Sequence, residues 1–316
     1  MQNKNAILFG NGLNRVGGEC PSWENLLMKL TPKMEGMPSD SNTLNYECIY
    51  LNICNTKGYY SKDSILEEFE LKSKIATICE GLTINPFYER MANLPVDTYM
   101  TTNYDGVLDR TLLQQGYKID SAQSCRTETL YSIRRCHAYY YPYEQITKKV
   151  FPIHGECSAP KSIMIGYDQY CGSLGKLNDF LKGNYTYKNN EQIVKLPKIT
   201  DRLQGKCKDV ETNTLGRYWP DCFFTHDVHM IGIGLPLVES DLWWVLNKRS
   251  RLKRQLLEIN NEIHFYGEPD DSIVRLLKAF DVQIVPIKVK EPKNKQCWID
   301  AYNRIFIELE RKLNKK

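Results

Sequence analysis

Short apolar runs that stop at glycine alternate along this chain with stretches in which apolar residues return every three or four positions. AILFG, residues 6 to 10, is the first such run and predicts a buried strand, the glycines after it favouring strand over helix. The rhythm returns in VDTYMTT, KKVFPIHG, HDVHMIGIG, EIHFYG and VQIVPI, and KSIMIGYD is expected to pair as a strand with KKVFPIHG. Between the runs, SWENLLMKL, VLDRTLLQQ, DLWWVLNKRSRLKRQLLEI and DSIVRLLKAF carry helical spacing. Ser22 stands where it can cap the first of these helices, whose Trp23, Leu26, Leu27 and Leu30 fall on one face. Strands alternating with helices predict an α/β chain built on a doubly wound parallel sheet.

Two stretches break the rhythm. Residues 32 to 93 read as an inserted helical module, in which Ser64 and Glu67 have the spacing of a capping box. Residues 184 to 222, with scattered lysines and asparagines and weak periodicity, read as a second insertion, either a lid or a solvated surface excursion.

Composition narrows the classes. The 316 residues, 42% hydrophobic, can build a sizeable core, and 42 basic against 38 acidic residues give no reason to expect nucleic-acid binding. Eleven cysteines contain no CxxC pair, so a zinc knuckle is not expected. No run of about 18 apolar residues offers a membrane span, and the amino terminus lacks the apolar region of a signal peptide. A reduced, cytoplasmic protein is expected.

The candidate chemistry gathers at the ends of the expected strands, where open α/β sheets bind ligands. LFGNGLNRVGG offers glycines at 10, 12, 17 and 18, where backbone can approach a ligand closely, although the spacing is not the GxGxxG fingerprint. TTNYDGVLD places Thr102, Asn103 and Asp105 where a helix should begin. FPIHGE supplies His154, an imidazole able to take a proton near neutrality or simply to end a strand. HDVHMIGIGLPLVESDLWWVL supplies Gly232 and Gly234, with acidic Glu239 and Asp241 shortly after. His226 and His229, three apart on a strand, point to opposite faces and cannot easily share a metal ion.

Taken in order, FGNGLNR, SWENLL, TTNYD, HGE and GIGL resemble the motifs of the sirtuin-like NAD-binding family. The resemblance implies one sirtuin-like domain over residues 1–316, a Rossmann-like sheet, and a pocket for NAD. It implies Asn103 as the residue that positions ribose or water, and His154 as general base. Gly10, Asn11, Gly12 and Asn14 would wrap the diphosphate, with Arg15 either neutralising it or solvated. Thr102 would join them, and Asp105 would hold a ribose hydroxyl or cap the following helix. Gly232 and Gly234 would face the adenosine half, with Tyr266 stacking on adenine or belonging to the core.

Deacetylase sirtuins carry a zinc lobe with two CxxC pairs, absent from this sequence. GGECPSWENLL, SIMIGYD and DLWWVL are similar to the bacterial branch that hydrolyses NAD in anti-phage immunity. The resemblance therefore implies an NAD glycohydrolase that releases nicotinamide and ADP-ribose, with NAD as substrate and no metal. A sirtuin-type deacylase or ADP-ribosyltransferase and a non-catalytic NAD-sensing module are the alternatives. An enzyme of this kind would rest slow and be activated as a homo-oligomer or through a separate ATPase, Argonaute-like or ligand-sensing partner, without contact to nucleic acid or membrane.

Overall fold

The structure, a computed structural model, describes residues 4–314 apart from 19, 31–37, 59–61, 127, 129, 190–191, 208–214 and 257. Strand β1 (Lys4–Phe9) leads through α1 (Gly12–Gly17) and α2 (Trp23–Leu30) to α3 (Asn42–Lys57), α4 (Lys62–Glu80), α5 (Pro86–Ala92) and β2 (Thr98–Thr101). Then come α6 (Val107–Gln114), β3 (Lys118–Ile119), β4 (His137–Tyr141), β5 (Ile146–Pro152), α7 (Tyr167–Lys182), β6 (Thr186–Asn189), β7 (Gln192–Lys195), α8 (Ile199–Leu203) and α9 (Trp219–Thr225). Strand β8 (His226–Ile231), α10 (Ser240–Lys253), β9 (Ile263–Tyr266), α11 (Asp271–Ala279), β10 (Val282–Val285) and α12 (Lys295–Asn314) complete the chain.

The described residues form an eight-stranded sheet in the order β10-β9-β8-β1-β2-β5-β4-β3. Pairing is parallel from β10 to β5, and β4 and β3 extend that edge antiparallel. This is the Rossmann-like, doubly wound arrangement that the alternating pattern predicts. The chain winds outward from β1 in one direction and from β8 in the other, so the switch in direction lies at the β1–β8 neighbourhood.

The apolar runs are continuous because both faces of the sheet are covered. Ala6 and Leu8 face one core with Met100, Phe151, Val228 and Met230, under α7, α9 and α10. Ile7 and Phe9 face another with Tyr99, Val150 and Ile231, under α5, α6 and α12. A third cluster gathers Leu26 and Leu27 of α2 with Tyr46, Ile49, Leu71 and Ile75 of the helical module against Tyr104, Cys157, Ile163 and Ile165. The inserted helices thus pack on the loops that follow β2 and β5.

Several expectations are corrected. KSIMIGYD is not the partner of β5: Pro160–Ser162 is a single 3₁₀ turn, Ile163 and Ile165 are buried under the module, and α7 starts at Tyr167. The partner is β4, whose sequence HAYYY had not been read as a strand. Ser64 lies inside α4, not at its start, and Glu67 reaches back to Lys57 at 2.8 Å. Helix α10 ends at Lys253, short of the expected Ile259.

The 184–222 segment is no loose excursion where it is described. Tyr185, Tyr187, Leu196, Ile199, Tyr218, Trp219 and Cys222 join the core beneath α7. Arg202 of α8 and Asp221 of α9 form a bidentate ion pair, both contacts 2.8 Å and both side chains fully buried. Part of the expected lid, residues 208–214, lies outside the described residues.

Candidate active site at the carboxyl ends of the strands

Register puts the expected residues in one row. Phe9 is level with Thr101 and Ile231, and Thr101 with Pro152. The ladder runs one step further through Thr102 N donating to the Phe9 carbonyl, Ile153 N to that of Thr101, and Gly10 N to that of Ile231. Asn103 and His154 therefore leave neighbouring parallel strands at equivalent positions. The Cys157 amide donating to the Tyr104 carbonyl, 2.8 Å, ties the two loops together.

Asn103 is buried and held from two sides. Its amide donates to Thr101 Oγ1 at 3.0 Å and its Nδ2 to the Tyr88 hydroxyl at 3.3 Å. The Tyr88 hydroxyl donates in turn to Asn14 Oδ1 at 2.8 Å. Asn14 Nδ2 donates to Asp105 Oδ2, 2.6 Å, and Asn11 Oδ1, 3.0 Å. Four loops and helices are thereby joined through one asparagine. Its side-chain donors and acceptor are all engaged, so Asn14 is a joint of the site, and the diphosphate contact expected of it has no free hydrogen there.

Asp105, one residue before the N-cap Gly106, satisfies the first amide of α6: its Oδ1 accepts from Val107 N at 2.8 Å. Burial pushes this carboxyl up, against the hydrogen bonds from Val107 and Asn14 that favour the anion. Of its two expected roles, capping is the one the geometry displays. Trp23 of the SWENLL helix lies edge-on to Tyr104, ring centroids 5.9 Å apart, which sets α2 against the residue after Asn103.

His154 is 1% exposed, its Nε2 3.0 Å from Asp241 Oδ2 and its ring edge-on to Tyr170. Burial presses the imidazole towards neutrality, but the Asp241 and Glu239 carboxyls outweigh it, and the group titrates above its ordinary value. Gly155 explains the dipeptide: its φ is +94°, and the Ser162 carbonyl fills the place of a Cβ, so the chain can turn there only at glycine.

Residues 97–195 match the SIR2-like domain family. Over that stretch the chain is similar to a SIR2-like domain. A stretch of 169 residues, 54% of the chain, is 24% identical to the NAD(+) hydrolase ThsA of Acinetobacter baumannii (strain 532279). That stretch spans 31% of the relative's own length.

The SIR2-like match contains Asn103, Asp105 and His154 and leaves out both glycine loops. In those loops the Gly12 amide donates to the Gly232 carbonyl at 2.8 Å, and a Cβ on Gly12 would strike Tyr302 of α12. The glycines at 10, 12 and 232 thus answer first to each other's backbone. The Gly10 and Gly12 amides are spent inside the protein. Thr102 is half-buried, Arg15 is exposed on α1, and Gly234 is exposed beyond β8. Asn11 begins α1, its Oδ1 accepting from Asn14.

Tyr266 is a core residue: it is buried, its hydroxyl meets His229 Nδ1 at 3.0 Å, and its ring packs with Ile231. That environment accounts for it without a base to stack on. His226 and His229 stay apart as expected, one against Thr225 and the other against Tyr266, and burial lowers both, to about 4 and about 3. Among the described residues no group of three or more His, Cys, Asp or Glu could hold a metal ion, and no helix is long and apolar enough to cross a membrane.

Tyr88 and Tyr302 have no signal of function in the sequence, and Asp241 stands there only as an acidic residue after the late glycines, with no role attached. Tyr88 and Asp241 lie 15 and 87 residues from the groups they hold, and no local pattern joins them. Tyr302 belongs to α12, whose apolar Ala301, Tyr302, Ile305, Leu309 and Leu313 do carry helical spacing.

Proposed function

We propose that this chain cleaves the bond between nicotinamide and ribose in NAD, passing the ADP-ribosyl group to water, as an effector of bacterial anti-phage defence. The observation that supports it most is the pairing of Asn103 and His154 at equivalent ends of β2 and β5 within the SIR2-like match. The similarity to an NAD(+) hydrolase favours the same reaction.

Nicotinamide leaves as a neutral group, taking the electron pair of the broken C–N bond, so no strong acid is required. What the protein must supply is position and one oriented water. In this reading Asn103, braced by Tyr88, directs ribose or water through its amide. His154 removes the water's proton as the new C–O bond forms, a contribution of about a hundredfold to ten-thousandfold. The chain's own carboxyls make the imidazole a stronger base than usual.

Product analysis tests the reading. Purified protein given NAD alone should release nicotinamide and ADP-ribose in equal amounts, at protein concentrations high enough to allow self-association. Turnover that needs an acylated or otherwise modified protein would instead make this a transferase.

A further inference from the structure

Beyond the two residues the motifs point to, a third group holds the site. We propose that Asp241 is the positioning residue of His154, its carboxylate fixing the orientation and tautomer of the imidazole so that Nδ1 is the nitrogen left to accept a proton. The inference rests on the reading of His154 as the general base.

The geometry leaves the pair little freedom. Both residues are buried, and Asp241 Oδ2 lies 3.0 Å from His154 Nε2. The other carboxylate oxygen, Oδ1, accepts from the Leu242 amide at 2.9 Å in the first turn of the 14-residue helix α10, a place that favours an anion. On the far side the imidazole stands edge-on to Tyr170, ring centroids 5.4 Å apart and planes at 79°. The His154 carbonyl accepts from the Met164 amide at 2.8 Å, which fixes the backbone as well. A carboxylate only accepts, so the nitrogen facing it must carry the hydrogen. Neutral His154 is then the Nε2–H tautomer.

Proton bookkeeping follows from that tautomer. The proton taken from water arrives on Nδ1, giving an imidazolium whose Nε2–H still donates to Asp241. Asp241 stays an anion throughout and stabilises the charge that appears beside it.

Titratable groups act on the His154–Asp241 pair from three elements. Asp241 and Glu239 come from the start of α10, Tyr104 from the loop after β2, and Tyr170 from α7. Burial holds both phenols far above their ordinary range, so they stay neutral. Burial pushes Glu239 up to about 7, and its Oε2 is buried without a hydrogen-bond partner. Glu239 thus changes charge near neutrality beside the pair, and its own variant is needed to separate its effect from that of His154.

The sequence has five histidines, which makes a direct test practical. Protein labelled with ¹⁵N in histidine is titrated by NMR, the His154 signals being assigned as those lost in His154→Gln. Wild type should show the Nε2–H tautomer and titrate above about 6.5, the ordinary value. In Asp241→Asn, whose amide can donate, the tautomer should switch to Nδ1–H and the pKa should fall. NAD hydrolysis should then lose about a hundredfold in kcat with KM little changed, the rising limb of its pH profile moving to lower pH. Asp241→Glu should restore the tautomer and part of the rate, while Glu239→Gln should keep the tautomer.

An unchanged tautomer and pKa in folded Asp241→Asn overturns the proposal. Should that variant fail to fold, the wild-type titration still decides, since an Nδ1–H tautomer or a pKa at or below about 6.5 overturns it equally. Should wild type show the Asp241-dependent tautomer yet never cleave NAD, the positioning role stands and the hydrolase reading fails.

Discussion

Tyr88→Phe removes one oxygen from the centre of the site and nothing else. That oxygen donates to Asn14 Oδ1 at 2.8 Å and accepts from Asn103 Nδ2 at 3.3 Å, in a side chain with no exposed surface. Burial holds the phenol proton on at any working pH, so the donor role is constant. The substitution leaves a buried amide oxygen and an amide N–H without these partners, which should cost about 1–3 kcal/mol. At about 2.1 cal/mol/K of unfolding entropy per residue, a chain of 316 residues should then melt about 2–5 °C lower. The effect on turnover should be larger, because Asn103 loses its side-chain brace and a displacement of about 1 Å in a positioning group can cost about a hundredfold. Nicotinamide release and thermal unfolding, measured on the same preparation, report both quantities. A folded Tyr88→Phe protein that turns over NAD at the wild-type rate would show that Asn103 is not held by Tyr88, and would refute the reasoning.

Two further predictions concern stability. Asp221→Asn breaks a fully buried bidentate pair with Arg202 and should cost about 3–5 kcal/mol, or about 5–8 °C, seen by thermal unfolding; a shift under about 1 °C would mean that the 184–222 segment is a loose lid after all. His137 lies between Asp109, 2.6 Å from its Nδ1, and Glu156, 2.9 Å from its Nε2. Burial disfavours its charge, but the two carboxylates hold it up to about 9. Because the folded value lies above the unfolded one, its contribution is complete below about 6.5 and is lost as pH climbs through about 9, a change of about 3 kcal/mol that chemical denaturation at a series of pH values should record. His137→Gln should flatten that slope, and an unaltered slope would assign it to other groups.

The sheet was legible because parallel strands buried on both faces are written as continuous apolar runs, and AILF, TYMT and HDVHMI each end at the residues that line the site. What failed were places where tertiary contacts override local pattern. IMI in KSIMIGYD is apolar because the helical module covers it, not because it is a strand. HAYYY pairs with β5, and its His137 and Tyr139 are spent on Asp109. Glu67 matches a capping box by spacing, yet its carboxylate serves Lys57 on the preceding helix. Asn103 and His154 stand in motifs that can be read along the chain, while Tyr88 and Asp241, which hold them, are neighbours only after folding.

The central claim, that Asn103 and His154 together catalyse the hydrolysis of NAD, is tested most directly by nicotinamide release from NAD alone. Wild type, Asn103→Ala and His154→Ala are to be compared as purified proteins, each checked by thermal unfolding. The account predicts that wild type yields nicotinamide and ADP-ribose without a second substrate, and that each variant, still folded, falls by about a hundredfold or more. Near wild-type hydrolysis by folded Asn103→Ala, or a wild-type protein inert at every concentration and with every candidate partner, would contradict it.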